Sequence, residues 1–156
     1  MDTPNRIPWP PIVYLAALLA GLALNWYLPL PWPARPLRFV LAAIGLCAIG
    51  LAVALDIAAF RLFRRHRTTI MPHRAASALI TEGPFARSRN PIYVGNTLLV
   101  SGLGLLFGVA WLVPAALLAA FAVQKLAIER EEAHLAEKFG EAWRDYAART
   151  PRWLFF

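Results

Sequence analysis

Four runs of apolar residues divide the chain, at residues 12–28, 37–63, 91–107 and 111–128. The shortest runs have seventeen residues. A helix of that length rises about 25 Å, which is just enough to cross the hydrocarbon core of a bilayer. Trp26 and Tyr27 stand at the far end of the first run, where aromatic residues mark a membrane interface. The pattern predicts an all-α integral membrane protein with four transmembrane helices.

The third and fourth runs are separated only by residues 108–110, which carry no charge. So short a connection predicts a tight helical hairpin. Gly104 and Gly108 have the small-xxx-small spacing that lets helices approach closely, and we expect the approach near this turn. Pro114 falls in the first turn of the fourth helix, where its missing N–H costs little.

Residues 129–148 have a different pattern, in which charged residues alternate with Leu135, Phe139, Trp143 and Tyr146. The apolar positions are spaced by three and four residues, which predicts one amphipathic helix on the membrane or folded over a loop. Pro151 should end it, before an apolar tail at residues 153–156.

Composition supports a membrane protein, since 59% of the 156 residues are hydrophobic and only 16% are charged. These values argue against a cytosolic enzyme, a disulfide-stapled secreted domain and a solenoid. The single cysteine, Cys47, can form neither an internal disulfide nor a metal site. We predict a single domain over residues 1–156, and residues 1–11 lack the pattern of a cleavable signal peptide.

The net charge of +7 is concentrated between residues 61 and 89 and after residue 125. We expect these cations to contact anionic lipid rather than nucleic acid. The hairpin turn carries no charge, so the positive-inside rule predicts that both termini and the basic loop are cytoplasmic. The three histidines lack metal-ligand spacing, so we expect no metal.

The loop at residues 64–90 is far longer than an ordinary connection, which favours a functional role. Asn90 is a suitable N-cap and Pro91 a suitable first residue for the third helix. Arg89 adds a permanent charge beside the positive end of the helix dipole. This could be a seat for a carboxylate or phosphate. It could equally be a capped helix start with an interface-anchoring arginine.

Acidic residues offer two further candidates. Glu129, Glu131 and Glu132 follow the fourth run, close to Lys125 and Arg130, and they could bind a ligand or simply form i,i+4 pairs on a solvated helix. Asp56 is an intramembrane acid, which makes it a functional candidate, although a pair with Arg61 or Arg64 would explain it as well.

Two blocks of sequence resemble a known family. Gly83-Pro84-Phe85 followed by Ser88-Arg89-Asn90-Pro91-Ile92-Tyr93-Val94-Gly95 is similar to the cofactor motif of the isoprenylcysteine carboxyl methyltransferases and their bacterial relatives. The wider group includes the phospholipid N-methyltransferases. The family's C-terminal signature resembles Glu131-Glu132, Leu135, Phe139-Gly140, Trp143, Tyr146 and Pro151-Arg152. The resemblance covers residues 69–153.

The resemblance implies S-adenosylmethionine as cofactor, held at the cytoplasmic face by residues 69–96 and 125–153. It departs from the family at Asn90, where eukaryotic members carry histidine, and at Phe85 and Trp143, where hydroxyl-bearing aromatics are common. The implied catalytic residues are Arg89, Glu131 and Glu132, and Lys125, Arg130 and Asn96 would face the substrate. The implied cofactor-binding residues are Ser77, Leu79, Ile80, Gly83, Phe85, Arg89, Asn90, Pro91, Ile92, Tyr93, Gly95, Glu131 and Glu132.

A sulfonium methyl is already activated, so such an enzyme need only align the acceptor and exclude water. A carboxylate acceptor needs no general base. An amine or hydroxyl needs one, for which Glu131, Glu132 and Asp56 are candidates. The acceptor would be a lipophilic small molecule or a lipid. A nicotinamide-dependent membrane reductase and a non-enzymatic lipid-binding module are the alternatives, and the sequence leaves the oligomeric state open.

Overall fold

A computed structural model describes residues 9–67 and 78–154, and it contains helices but no strand within those ranges. A 3₁₀ turn at Gly83–Ala86 precedes the third helix, and a π-helical turn at Gln124–Ile128 joins the fourth helix to the fifth. The helices are α1 (Trp9–Tyr27), α2 (Leu37–Arg65), α3 (Pro91–Phe107), α4 (Leu112–Val123), α5 (Glu129–Phe139) and α6 (Glu141–Arg149). The predicted all-α fold is therefore confirmed.

Three helical stretches in the described part of the chain are long and apolar enough to cross a membrane. They are α1, α2 and the continuous helix Leu112–Phe139. The helix α3 is apolar but has only 17 residues. Its bounds match the predicted third run, and its crossing of the bilayer stays a prediction.

The helices pack in two pairs, α2 along α3 and α1 along α4, with α3 also packed against α4. Gly45 of α2 and Gly102 of α3 bring their backbones together, because a Cβ added to Gly45 would lie 2.6 Å from the Gly102 carbonyl oxygen. The core between α1, α3 and α4 includes Tyr14, Val100 and Leu112. Many of the larger apolar side chains on α1 and α2 remain exposed, as expected of surfaces that face lipid.

The predicted close approach of the third and fourth helices is found at Gly104, where an added Cβ would lie 2.9 Å from Leu112 Cβ. Gly108 has another role, since it ends α3 with a left-handed backbone conformation (φ 76°) against the Trp32 ring. A glycine adopts this conformation without steric cost.

The prediction of one amphipathic helix over residues 129–148 is wrong. The fourth helix passes through the π turn directly into α5, and Gly140 (φ 55°, ψ −123°) then separates α5 from α6. Glycine tolerates these angles because it has no Cβ. The helices α5 and α6 contact each other across this break.

Candidate active site

The crossover segment, residues 78–90, is tied to the tail segment, residues 150–154, through backbone carbonyls. The backbone N–H of Arg89 donates to the Pro151 oxygen at 2.9 Å. Ser88 Oγ and Asn90 Nδ2 both donate to the Arg152 oxygen, at 3.2 and 3.1 Å. These bonds hold the start of α3 against the end of the chain.

Three further contacts link the crossover segment to α6 and to the end of α2. Tyr146 of α6 donates its hydroxyl proton to the Phe85 oxygen at 2.7 Å, and the Phe85 ring meets Phe63 edge-on. Burial of the Tyr146 hydroxyl raises its pKa. At the other end, His66 Nε2 donates to Glu82 Oε1 at 2.8 Å, and this hydrogen bond lowers the pKa of Glu82.

A charge cluster joins the crossover segment, the tail segment and α5. It is formed by Arg89, Arg152 and Glu132. Arg152 grips Glu132 with two hydrogen bonds, at 3.0 Å from Nε and 2.7 Å from Nη2, and Arg89 Nη1 lies 3.3 Å from Glu132 Oε1. Glu132 and Arg89 are only 14% and 16% exposed. Donation of these hydrogen bonds to Glu132 raises the pKa of Arg152. One acid thus faces two cations, so the cluster has a net positive charge.

Arg89 keeps an unused donor within this cluster. Its Nε is buried, and no hydrogen-bond partner for it exists among the described residues. The guanidinium carbon lies 5.8 Å from the centre of the buried Trp143 ring. A buried donor without a partner is costly, so this nitrogen offers a binding point for an acceptor atom of a ligand.

Tyr93 of α3 connects this helix to α1 and α5 through hydrogen bonds. Its hydroxyl donates to Glu131 of α5, at 3.1 and 3.2 Å from the two carboxylate oxygens. Its backbone oxygen accepts from the Tyr14 hydroxyl at 3.1 Å and from Thr97 Oγ1 at 2.9 Å. Sequence reasoning missed Tyr14, although a tyrosine within an apolar run signals a buried hydroxyl that needs a partner.

An apolar cleft of about 490 Å³ opens between α2 and the crossover segment. Arg87 and Ser88 are the polar residues of its wall, and Leu154 brings in the tail segment. Its lining residues are Leu51, Leu55, Gly83, Pro84, Arg87, Ser88, Pro91, Val94 and Leu154.

Asp56 lies in the seam between α2 and α3. Its Oδ1 is buried without a hydrogen-bond partner among the described residues, 3.2 Å from where a Cβ would stand on Gly95. The interpretation of Asp56 as an ion pair with Arg61 or Arg64 is wrong, since the carboxylate pairs with neither. It instead faces α3, which has no charged side chain.

The predicted site residues fall into two groups around α3. Arg89, Asn90 and Glu132 meet at the tail segment, with Tyr93 and Glu131 beside them. Gly83 and Pro91 line the apolar cleft, and Gly95 borders Asp56. The others that the structure describes in this region are the buried Ile80 and the half-buried Leu79, Phe85, Ile92 and Asn96.

The structure also shows the surroundings of several other predicted residues. Lys125 pairs with Glu129 one turn away, as expected for a solvated helix, and Arg130 is exposed. Asn90 occupies the N-cap position, but its side chain makes no capping bond because its amide donates to Arg152 instead. Pro91 is the first residue of α3, as predicted. Ser77 lies outside the described residues.

Comparison with known proteins identifies the family. The family model "phospholipid methyltransferase" matches residues 40–142, about two thirds of the chain. The nickel-cobalt-cadmium resistance protein NccN of Alcaligenes xylosoxydans xylosoxydans and the cobalt-zinc-cadmium resistance protein CzcN of Cupriavidus metallidurans are each 40% identical over 79 residues. These residues are 50% of this chain, and the chain spans 36% of the length of each relative. No solved structure matches. On the family match, the chain belongs to the phospholipid methyltransferase family.

Proposed function

We propose that the protein is an S-adenosylmethionine-dependent integral membrane methyltransferase that acts on a lipophilic acceptor at the cytoplasmic membrane face. Membership of a methyltransferase family supports the reaction type. The observation that carries the proposal is the charge cluster of Arg89, Glu132 and Arg152, which lies beside the apolar cleft under one crossover segment. A charged donor and an apolar acceptor thus each have a suitable surface.

The residues present fit a zwitterionic cofactor. The unpartnered Arg89 Nε and the excess positive charge suit a carboxylate, while Glu131 and Glu132 suit ammonium or hydroxyl groups. When bound, the cofactor would supply a methyl group activated by a sulfonium. The residues that would hold it are Ser77, Leu79, Ile80, Gly83, Phe85, Arg89, Asn90, Pro91, Ile92, Tyr93, Gly95, Glu131 and Glu132.

The protein would position the reacting groups and exclude water from them. Hydrogen bonds to Pro151, Arg152 and Tyr146 fix the crossover segment, so the groups it carries need little reorganisation. The apolar cleft would accept the body of a lipophilic carboxylate, amine or alcohol and exclude water around the reacting atoms. Lys125, Arg130 and Asn96 are the proposed contacts to the acceptor's outer part.

The proposed topology has four membrane crossings, with both termini and the site in the cytoplasm. The basic segments that follow α2 and the fourth helix support this orientation, as does the uncharged hairpin turn. As α3 rises about 25 Å, it would cross only with its ends close to the two interfaces.

Calorimetric titration of the protein in lipid nanodiscs with S-adenosylhomocysteine tests the proposal. We expect micromolar binding that Arg89→Ala or Asn90→Ala abolishes, because each removes a contact at the proposed cofactor seat. Arg144→Ala is the matched control, since Arg144 is exposed on α6, and it should bind like the wild type. Melting temperatures should confirm that each variant is folded.

Failure of the wild-type protein to bind S-adenosylhomocysteine would contradict the proposal. Binding of a phosphorylated dinucleotide instead would support the reductase, and binding of neither would support a lipid-binding module. A water-soluble acceptor methylated equally fast without lipid would contradict the lipophilic acceptor alone.

A further inference from the structure

One carboxylate oxygen of Asp56, Oδ1, is buried, and no group within residues 9–67 and 78–154 forms a hydrogen bond with it. The helix α3, its main neighbour, has no charged residue, and neither has the 3₁₀ turn Gly83–Ala86. The nearest cation along α2 is Arg61, with which Asp56 makes no pair. A carboxylate among apolar helices is costly to keep without a partner, and such residues in membrane proteins usually serve a ligand.

The position of Asp56 links it to the apolar cleft. Leu55, the preceding residue, lines the cleft, and so do Pro91 and Val94 of α3. Successive helical residues are turned by about 100°, so Pro91, Val94 and Gly95 share one face of α3. Gly95 meets Asp56 on that face, about 6 Å along the helix from Pro91. Asp56 is not itself a lining residue, but it follows Leu55 of the cleft wall and lies beside Gly95, about one helical turn along α3 from Pro91.

The other two candidate bases are already engaged. Glu131 accepts the Tyr93 hydroxyl with both carboxylate oxygens, and Glu132 is held by two arginines. Glu132 could turn toward an acceptor only by giving up these ion pairs and hydrogen bonds. By elimination, Asp56 is the carboxylate left for an acceptor.

We propose that Asp56 binds the N–H or O–H group of the methyl acceptor and takes its proton. This inference rests on the proposed function and narrows it: the acceptor is an amphiphile with a neutral amine or hydroxyl, because a carboxylate would be repelled by Asp56. The acceptor's nitrogen or oxygen forms the new bond to the methyl carbon as the methyl–sulfur bond breaks. The bonding electrons stay on sulfur, and the acceptor's proton passes to Asp56.

The test compares Asp56→Asn with the wild type in lipid nanodiscs, and Asp145→Asn on the exposed part of α6 is the matched control. Calorimetry measures the binding of dodecylamine and of dodecanoate in the presence of S-adenosylhomocysteine. Asp56→Asn should weaken dodecylamine binding at least tenfold and leave S-adenosylhomocysteine binding unchanged. Because Asp56 pairs with none of the residues that the structure describes, the melting temperature of the Asp56→Asn variant should stay level or rise.

A second measurement follows transfer of a radiolabelled methyl group to phosphatidylethanolamine vesicles and to 4-dodecylphenol, which present an amine and a hydroxyl. Asp56→Asn should lower kcat at least 100-fold on whichever of the two is methylated, with a smaller change in KM. This split distinguishes proton transfer from a structural role.

Three results would overturn the inference. Asp56→Asn could retain wild-type dodecylamine binding and kcat, or dodecanoate could be the one probe that binds or is methylated. The variant could also lose melting temperature together with S-adenosylhomocysteine binding, which would make Asp56 structural. Absence of S-adenosylhomocysteine binding in the wild type would instead contradict the proposed function.

Discussion

Glu131 and Glu132 are neighbours in the sequence, yet their side chains have different partners. Adjacent helical residues point about 100° apart, so Glu131 reaches Tyr93 while Glu132 reaches Arg89 and Arg152. The sequence predicts that an acidic pair belongs to the site. It does not assign the partners, because these depend on how α5 is rotated against α3 and on where the tail segment lies.

Glu132→Gln should destabilise the protein by about 2 kcal/mol, since two mostly buried arginines would lose their shared counter-ion. The same change should weaken S-adenosylhomocysteine binding at least tenfold, because the crossover segment depends on this cluster for its position. A denaturation series and a calorimetric titration in nanodiscs measure the two effects.

The control is Glu82→Gln, in which the carboxylate is exposed and pairs with His66. It should leave stability and ligand binding unchanged, as expected for a solvated ion pair. Equal losses in both variants would mean that the burial of Glu132 has no energetic consequence.

At the scale of elements, the seam between α2 and α3 depends on the absence of side chains. A Cβ on Gly45 would meet backbone atoms of α3, the Gly102 oxygen at 2.6 Å and the Leu106 nitrogen at 2.7 Å. Backbone atoms cannot move aside as the end of a flexible side chain can. The seam positions Asp56 beside Gly95, so the spacing of these helices affects the site itself.

Gly45→Ala should therefore destabilise the protein by about 1–3 kcal/mol through forced separation of the helices. Gly50→Ala is the matched control on the same helix, because an added Cβ there meets nothing within 4 Å. It should be neutral or stabilising by up to about 1 kcal/mol, since alanine favours a helix. Equal melting temperatures for the two variants would contradict the close packing.

The apolar runs predict the helices well, because burial in a core or in lipid selects for such runs directly. The bounds of α3 agree with the predicted run at both ends. The helix α2 begins where predicted and ends at Arg65, two residues beyond the predicted end. The break at Gly140 was not predicted, because Phe139, Trp143 and Tyr146 continue the helical spacing across it. Periodicity indicates which residues share a buried face, but it does not distinguish one helix from two that pack on the same surface.

On the scale of the whole molecule, the site depends on contacts between segments far apart in sequence. Ser88 and Asn90 bond to the Arg152 carbonyl oxygen, more than 60 residues away. Every residue has such a carbonyl, so no side-chain pattern could predict this contact. The resemblance to a family predicts the residues of the proposed site, whereas the apolar cleft and the surroundings of Asp56 required the structure.

The membrane topology can be tested with single cysteines. After Cys47→Ser removes the only native thiol, Ala110→Cys marks the hairpin turn and Glu141→Cys marks α6. We expect a membrane-impermeant maleimide to label the two positions from opposite sides of the membrane, because most of the basic residues are concentrated on one side. Right-side-out and inverted vesicles provide the comparison, and labelling of both positions from the same side would contradict the topology.

The π turn at Gln124–Ile128 is a place where the fourth helix tolerates a change in length. A π turn holds one residue more than a turn of regular α-helix, so loss of one residue here would restore a regular turn and leave Glu131 and Glu132 facing their partners. Loss of one residue elsewhere between Leu112 and Glu132 would rotate both acids by about 100°, away from Tyr93 and the arginines. Within this family, a one-residue gap should therefore be harmless at this turn and damaging along the rest of the helix.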